Sequence, residues 1–246
     1  MRVDVYALCY NEEVILPYFL RHYASVADRI VVFDNGSTDR SREMVLSCPK
    51  AEIRDYDTGG RYLHRAQMAI KNGCYRESRG KADWVIVVDT DEFIYHPNLL
   101  GVLARYTEEK ITLPLTDGYE MVAPGTPTTP GQVYEEFPAG YASVLYSKPE
   151  VFHPDIDINF ELGCHEARPA GPVKRSERAE IKLLHYRHLG VPHYVQKYRT
   201  RMARLGDEDL RLGWGAYVPP TGQSLEEYLA AHYARDLAGK AVVRVV

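Results

Sequence analysis

Trp84-Val85-Ile86-Val87-Val88-Asp89-Thr90-Asp91 is the stretch from which the rest of the chain can be read. Its first five residues are apolar without a break, whereas a strand with one wet face would alternate. A short run polar on neither face predicts a central strand of a parallel sheet. Two carboxylates follow at once. In an open parallel sheet the carboxyl edges of the strands form the ligand crevice, so Asp89 and Asp91 would converge on whatever binds there. Spaced i and i+2, they can project differently. One could meet a sugar or ribose hydroxyl and the other a hard divalent cation, Mg²⁺ or Mn²⁺, whose shell suits carboxylate oxygens, phosphate oxygens and water. The plain alternative is a strand that ends in a polar turn, and Asp-x-Asp by itself is a weak motif.

Working outward, the preceding residues alternate short β-branched runs with helical patterns. Val3 to Leu8, Arg29 to Phe33 and Ala51 to Arg54 read as strands. Pro17 to Ala27, Arg40 to Leu46 (after a capping Ser37-Thr38-Asp39) and Arg65 to Glu77 read as helices. Such alternation predicts an α/β fold, a mostly parallel sheet flanked by helices. Beyond Asp91 the pattern changes. A helix over Asn98 to Tyr106 and a strand over Ile111 to Leu115 precede residues 117–140, which hold four of the fifteen prolines and predict a long irregular loop of the kind that serves as a lid. Tyr141 to Tyr146 and Ile181 to Tyr186 predict further strands, Val195 to Leu205 and Ser224 to Leu237 helices. The expectation is one domain over 1–246, with a nucleotide-binding half at 1–95 and an irregular half at 96–246.

Composition agrees with one elaborated domain. A chain of 246 residues with 45% hydrophobic and 26% charged residues has ample material for a core, which excludes disorder, collagen and coiled coil. Thirty Lys plus Arg against thirty-four Asp plus Glu give a net charge of −4, so there is no general attraction for nucleic acid or an anionic membrane. Any anionic ligand must be held by a local device. Four scattered cysteines, an acid (Asp4) inside the first apolar run and the lack of a bilayer-length apolar stretch lead to the expectation of a cytoplasmic protein with reduced thiols and no transmembrane segment.

Three strand ends carry the specific signal. The first runs into Cys9-Tyr10-Asn11-Glu12-Glu13, the second into Asp34-Asn35-Gly36-Ser37-Thr38-Asp39 and the later one into Asp89-Thr90-Asp91. In this order and spacing, over about residues 3 to 95, they resemble the nucleotide-sugar glycosyltransferases of family 2 type, with the GT-A (Rossmann-like) fold. The resemblance implies that Ala7, Leu8 and Asn11 line a nucleoside pocket, that Asp34 accepts from uracil or ribose, that Asp89 sits near ribose or donor sugar, and that Asp91 holds the metal. Helix capping is the rival reading for Asn11 and Asp39, and a tight turn for Gly36. His64, Arg65 and Gln67 stand where such sequences place a polar contact to the nucleotide.

In the second half, Gly163-Cys164-His165-Glu166, Lys182-Leu183-Leu184-His185-Tyr186 and the basic stretch Val195 to Leu205 resemble segments that follow the Asp-x-Asp in a subgroup of these enzymes. The resemblance implies a late histidine at the metal, His185 first and His165 second, with His153, His188 and His193 as competitors; an imidazole ligand would favour Mn²⁺. The implied activity is metal-dependent transfer from a UDP-sugar to an acceptor hydroxyl, with inversion. The acceptor, whether saccharide, lipid-linked or a small molecule, is not legible. Lys148, Arg61 and Arg65 are candidates to offset diphosphate charge, and Glu166, then Asp117 and Glu120, to take the acceptor's proton. Two other classes compete. A sugar nucleotidyltransferase would open with a glycine-rich basic loop, where this chain has the acidic Cys9 to Glu13; a non-catalytic nucleotide-sugar-binding protein would bind UDP without transfer.

Overall fold

The computed structural model describes residues 1–246. The first half is β1 (Val3–Cys9), α1 (Leu16–Ala24), β2 (Arg29–Asp34), α2 (Ser41–Ser47), β3 (Ala51–Asp55), α3 (His64–Gly73), a 3-10 turn (Cys74–Ser78) and β4 (Trp84–Asp89). The second half is β5 (Glu92–Tyr95), α4 (Leu99–Glu108), β6 (Thr116–Ala123), α5 (Val133–Glu136), β7 (Ala139–Ala142), β8 (Val151–Phe152), β9 (Ile181–Leu189), α6 (Val191–Arg204), α7 (Asp207–Leu212), α8 (Leu225–Leu237) and β10 (Val243–Arg244). No helix is long and apolar enough to cross a membrane.

One sheet has the order β3-β2-β1-β4-β8, parallel except for β8 at its edge. Alternation along each strand sends side chains to opposite faces. Val5, Val32, Ile86 and Val88 pack on the α1 side with Phe19 and Tyr23, while Tyr6, Val31, Val85 and Val87 meet Tyr75 and Phe152 on the other. Both faces are therefore dry, which explains why Trp84 to Val88 is apolar throughout. The acid within β1 is also accounted for: Asp4 is buried, accepting from Ser78 Oγ at 2.6 Å and Arg2 Nε at 3.0 Å. Register brings the strand ends level, with Leu8 beside Phe33 and Asp89, and Cys9 beside Asp34.

The second sheet has the order β10-β7-β6-β9-β5. It shares the main core with the first, through Phe93, Met121, Leu183 and Tyr186. Here the sequence reading needs correction. Ile111 to Leu115 is not a strand; Leu113 makes one isolated bridge, and the strand begins at Thr116. Residues 117–140 are not a long loop, since they contain most of β6, α5 and the start of β7. The misleading residues are Gly118 and Glu120. Gly118 is required because a Cβ there would run into the Tyr146 carbonyl, and Glu120 is buried against His185. The strand expected over Tyr141 to Tyr146 stops at Ala142, and the helix expected to Glu77 turns 3-10 after Gly73.

Candidate active site

The chain leaves the first sheet at Asp89 and enters the second at Glu92, so Asp89-Thr90-Asp91 forms the corner between them. Glu92 fixes that corner: its Oε2 accepts from the Asp89 N–H at 2.8 Å. Beneath lies a layer of buried charge. Lys148 pairs with Glu92 and, at 2.8 Å, with Glu150, and all three side chains are 2% exposed or less. Burial would raise the Glu92 carboxyl, but Lys148 and Lys71 hold it below the ordinary carboxylate range. Glu150 goes the other way, pushed well up by burial and by Glu92. Lys71, from α3, reaches Asp89 at 2.8 Å.

Asp91 is assembled by strand register. Glu92 of β5 lies opposite His185 of β9, and His185 lies beside Glu120 of β6, so the three form one row across the second sheet. The Tyr186 N–H donates to the Asp91 carbonyl at 2.8 Å. His185 Nε2 then stands 3.5 Å from Asp91 Oδ2, while its Nδ1 meets Glu120 Oε2 at 3.0 Å. Tyr146 stacks on the imidazole at 4.0 Å between ring centroids. Burial opposes a charged imidazole here, but Glu120 and Asp91 outweigh it and move His185 up to about 10. On the other side Lys197 of α6 places Nζ 3.0 Å from Asp91 Oδ2 and 2.7 Å from Glu12 Oε1. Burial tends to raise both acids. Lys197 and His185 nonetheless take Asp91 well below the usual range, whereas Glu12, with Asp91 near it, is pushed up to about 7.

Asp91, His185, Tyr146, Lys197 and Glu12 line one cavity of about 450 Å³ at the level ends of β1, β2 and β4, with Glu120 buried behind its wall. Leu8, Asn11, Asp89, Asp91, Lys148, His165 and His185 contribute to its wall, as do His64 and Gln67. Asn11 adopts a left-handed φ of 53°, which asparagine tolerates, and its Oδ1 accepts from the Thr38 N–H at 2.7 Å. Its side chain thus ties two strand-end loops together. Asp39 does similar work, accepting from Ser41 N–H at 2.9 Å and Glu13 N–H at 3.0 Å.

Other sequence candidates, His165 and His193 excepted, stand outside the cavity wall. Ala7 lies within the sheet, flanked by Val32 and Val88. Asp34 is fully buried behind the lining, accepting from the Ser37 N–H at 3.0 Å and Arg42 at 2.7 Å. Arg65 is exposed, pairing with Glu208 at 3.1 Å and lying over Trp214. Arg61 pairs with Asp207 at 3.6 Å. Glu166 and Asp117 are exposed and outside the wall, and no residue of 117–140 lines the cavity, so that segment is not placed as its lid. Of the histidines, His188 is buried against Tyr194 and His153 sits beside Asp155. His165 meets the Tyr146 ring edge at 5.4 Å, and its Nδ1 is buried without a partner; burial and Lys148 lower it to about 4.

Sequence reasoning missed the roles of Glu12, Lys71, Lys197, Arg201 and Arg204, all of which line the cavity. A signal for three of them was present. Lys197, Arg201 and Arg204 are spaced i, i+4, i+7, one face of a helix. Arg201 contacts His64 Nε2 at 3.0 Å and lies over Tyr62, and Arg204 stacks on Tyr10 at 3.2 Å and donates to Asn35. The helix therefore supplies the positive wall that the mildly acidic chain lacks overall.

A family model described as Glycosyl transferase family 2 matches residues 4–150. Among solved structures, S. aureus TarS 1-349 is 16% identical with a TM-score of 0.47, over 83% of this chain and 65% of that one. The same protein in complex with UDP-GlcNAc is 16% identical with a TM-score of 0.42, over 83% of this chain and 66% of that one. The Mycobacterium tuberculosis glucosyl-3-phosphoglycerate synthase in complex with Mn²⁺, UDP and glucosyl-3-phosphoglycerate is 17% identical with a TM-score of 0.32, over 48% of this chain and 44% of that one. The chain thus spans just under two thirds of the TarS fragment. No curated protein matches.

Proposed function

This chain belongs to glycosyl transferase family 2, and from that premise we propose that it moves a sugar from a UDP-sugar to an acceptor hydroxyl, with inversion, using a divalent cation at Asp91. The observation that carries this reading is the contact series Asp91, His185, Glu120. A metal-binding histidine ordinarily gives its second ring nitrogen to a carboxylate, which fixes the orientation of the first. His185 has that arrangement, with Glu120 on Nδ1 and Asp91 facing Nε2. A positive charge at this position is supported by the Lys197 ammonium, which stands within 3.0 Å of both the Asp91 and the Glu12 carboxylate.

Asp91 and His185, the latter once its Nε2 proton is released, would hold Mn²⁺ or Mg²⁺, with donor phosphates completing the shell, and the ion would supply Lewis-acid assistance to departure of the diphosphate. The remaining tasks fall to the chain. Asp89, held on one side by Lys71, keeps oxygens free for a sugar or ribose hydroxyl. Leu8, Asn11 and Asn35 form the nucleoside end of the cavity. Arg201, at the centre of the basic face of α6, offsets charge on the leaving group. UDP release from a panel of UDP-sugars tests the reading: the wild type should release UDP from at least one, and Asp91→Asn from none.

One observation favours a second reading, a protein that binds the nucleotide sugar without transferring it. Asp89, Asp91, Glu92 and Glu12, four carboxylates of the cavity wall, are already engaged by a lysine. An acceptor proton would then need a group freed on binding. UDP binding with neither hydrolysis nor transfer across a broad acceptor panel would select this second reading.

A further inference from the structure

Lys197 occupies the position where the proposed reading puts a metal. Its ammonium touches Asp91 Oδ2, the same oxygen that faces His185 Nε2. A divalent ion binds carboxylate oxygen at about 2.0–2.2 Å, so it and an ammonium could not share that oxygen without close like-charge repulsion. We propose that Lys197 is a built-in competitor of the divalent cation: it holds Asp91 and Glu12 together while the crevice is empty, and it turns to the donor diphosphate when the metal takes Asp91. The inference rests on the reading of Asp91 as the metal residue.

Three observations support it. Lys197 is the one cation of this helix face whose contacts are both to carboxylates, one of them Asp91. Arg201 is held by His64 and Tyr62, and Arg204 by Asn35, the Gly60 carbonyl and Tyr10, whereas Lys197 makes only its two carboxylate contacts. Its side chain retains 28% exposure at the cavity wall, and a four-carbon stem can swing without moving α6. Finally, Asp91 and Glu12 come from different strand ends, so without a cation between them they would be two like charges in a largely buried site. Lys197 meets that need in the empty protein, and an incoming metal would meet it in the loaded one. Released, the ammonium would be a point charge suited to phosphate oxygens. Cation and diphosphate would then enter as a pair, and the cation alone would bind poorly.

Manganese binding to the full chain without nucleotide, followed by the electron paramagnetic resonance signal of free Mn²⁺, tests this without reference to transfer. Lys197→Met, of similar length and uncharged, is expected to bind Mn²⁺ at least about tenfold more tightly than the wild type, because the competitor is gone. With UDP present that advantage should shrink, since the variant lacks the diphosphate contact. Lys197→Arg keeps the charge and clamps carboxylates through a rigid fork, so it should bind Mn²⁺ more weakly than the wild type. It provides the same test if the Met variant does not fold. Affinity in Lys197→Met equal to or weaker than wild type, or affinity in Lys197→Arg equal to or tighter than wild type, overturns the competitor role while Mn²⁺ binding with UDP still stands. No Mn²⁺ binding in any of the three proteins, with or without UDP, overturns both the competitor role and the metal reading beneath it.

Discussion

Replacing Lys148 by methionine probes the buried layer on which the Asp89-Thr90-Asp91 corner rests. Lys148 is 2% exposed and its ammonium is committed to Glu92 and Glu150. Methionine fills similar space but removes the largest of the charges that oppose the burial of Glu92, leaving Lys71 and His185. Breaking a buried pair by removing one partner costs about 3–5 kcal/mol, a large share of the roughly 5–15 kcal/mol that stabilises an ordinary domain. Glu150 contributes little of this, because burial and Glu92 already favour its protonated form. The cost therefore resides mainly in Glu92, and that gives it a pH signature. With Lys148 present the folded-state Glu92 lies below its unfolded value of 4.5, so its contribution is present above that value and lost as the pH falls through the depressed folded-state value. Without Lys148 the carboxyl moves upward. Urea unfolding at a series of pH values should then show a large loss at pH 7 that narrows toward pH 4. A double variant, Lys148→Met with Glu92→Gln, should recover part of the loss, because the unpaired buried carboxylate is removed while an amide oxygen can still accept from the Asp89 N–H. A loss below about 1 kcal/mol at pH 7, the size of an exposed pair, or one independent of pH, would refute this account of the layer.

His22 is buried and lowered to about 4, with its Nε2 at the Ile94 carbonyl. Its neutral form is the folded form, so stability is complete above its unfolded value of about 6.5 and falls as the pH drops, by about 1.4 kcal/mol per unit and about 3 kcal/mol by pH 4. Urea titrations should show that acid limb flattened in His22→Gln; an unchanged limb would assign it to other groups. Gly118→Ala should lower the thermal midpoint by an amount equivalent to about 1–3 kcal/mol, since its Cβ would meet backbone at Tyr146 and not a movable side chain. His185→Ala should remove most of the manganese dependence of UDP affinity, with His165→Ala leaving it largely intact. The reverse ranking, read by calorimetry, would transfer the metal role to His165.

The first sheet was largely legible because its strands are dry on both faces and end together. Trp84 to Val88 announces itself by apolar continuity, Val3 to Leu8 and Arg29 to Phe33 by short β-branched runs, and each is followed by its polar strand end. In the second sheet β9 was legible as a strand over Ile181 to Tyr186, but β6 was not, because it places Glu120 in the interior, where it is tolerated through His185 and His188. A pattern of apolar residues cannot reveal a strand whose buried row is ionic. Gly118 compounds the error, since a glycine demanded by close packing reads the same as one demanded by a turn. Within the site, the sequence identified the corner acids and His185 beside Asp91, but not the lysine partners Lys71 and Lys197. Asp34 and Arg65 show the converse limit: a polar residue beside a strand end or at a helix start can turn inward or outward, and only packing decides. Lys197 was readable as part of a basic helix face, yet its pairing with Asp91 spans 106 positions and depends on where α6 docks.

On the proposed reading, this corner holds a nucleoside diphosphate through a cation at Asp91. Calorimetric titration of UDP into the wild type and Asp91→Asn, each with and without Mn²⁺, tests it most directly. The account predicts that Mn²⁺ tightens UDP binding to the wild type by at least about tenfold, or about 1.4 kcal/mol, and has no such effect in the variant. Equal UDP affinity with and without Mn²⁺ in the wild type, or an undiminished manganese effect in Asp91→Asn, would contradict it.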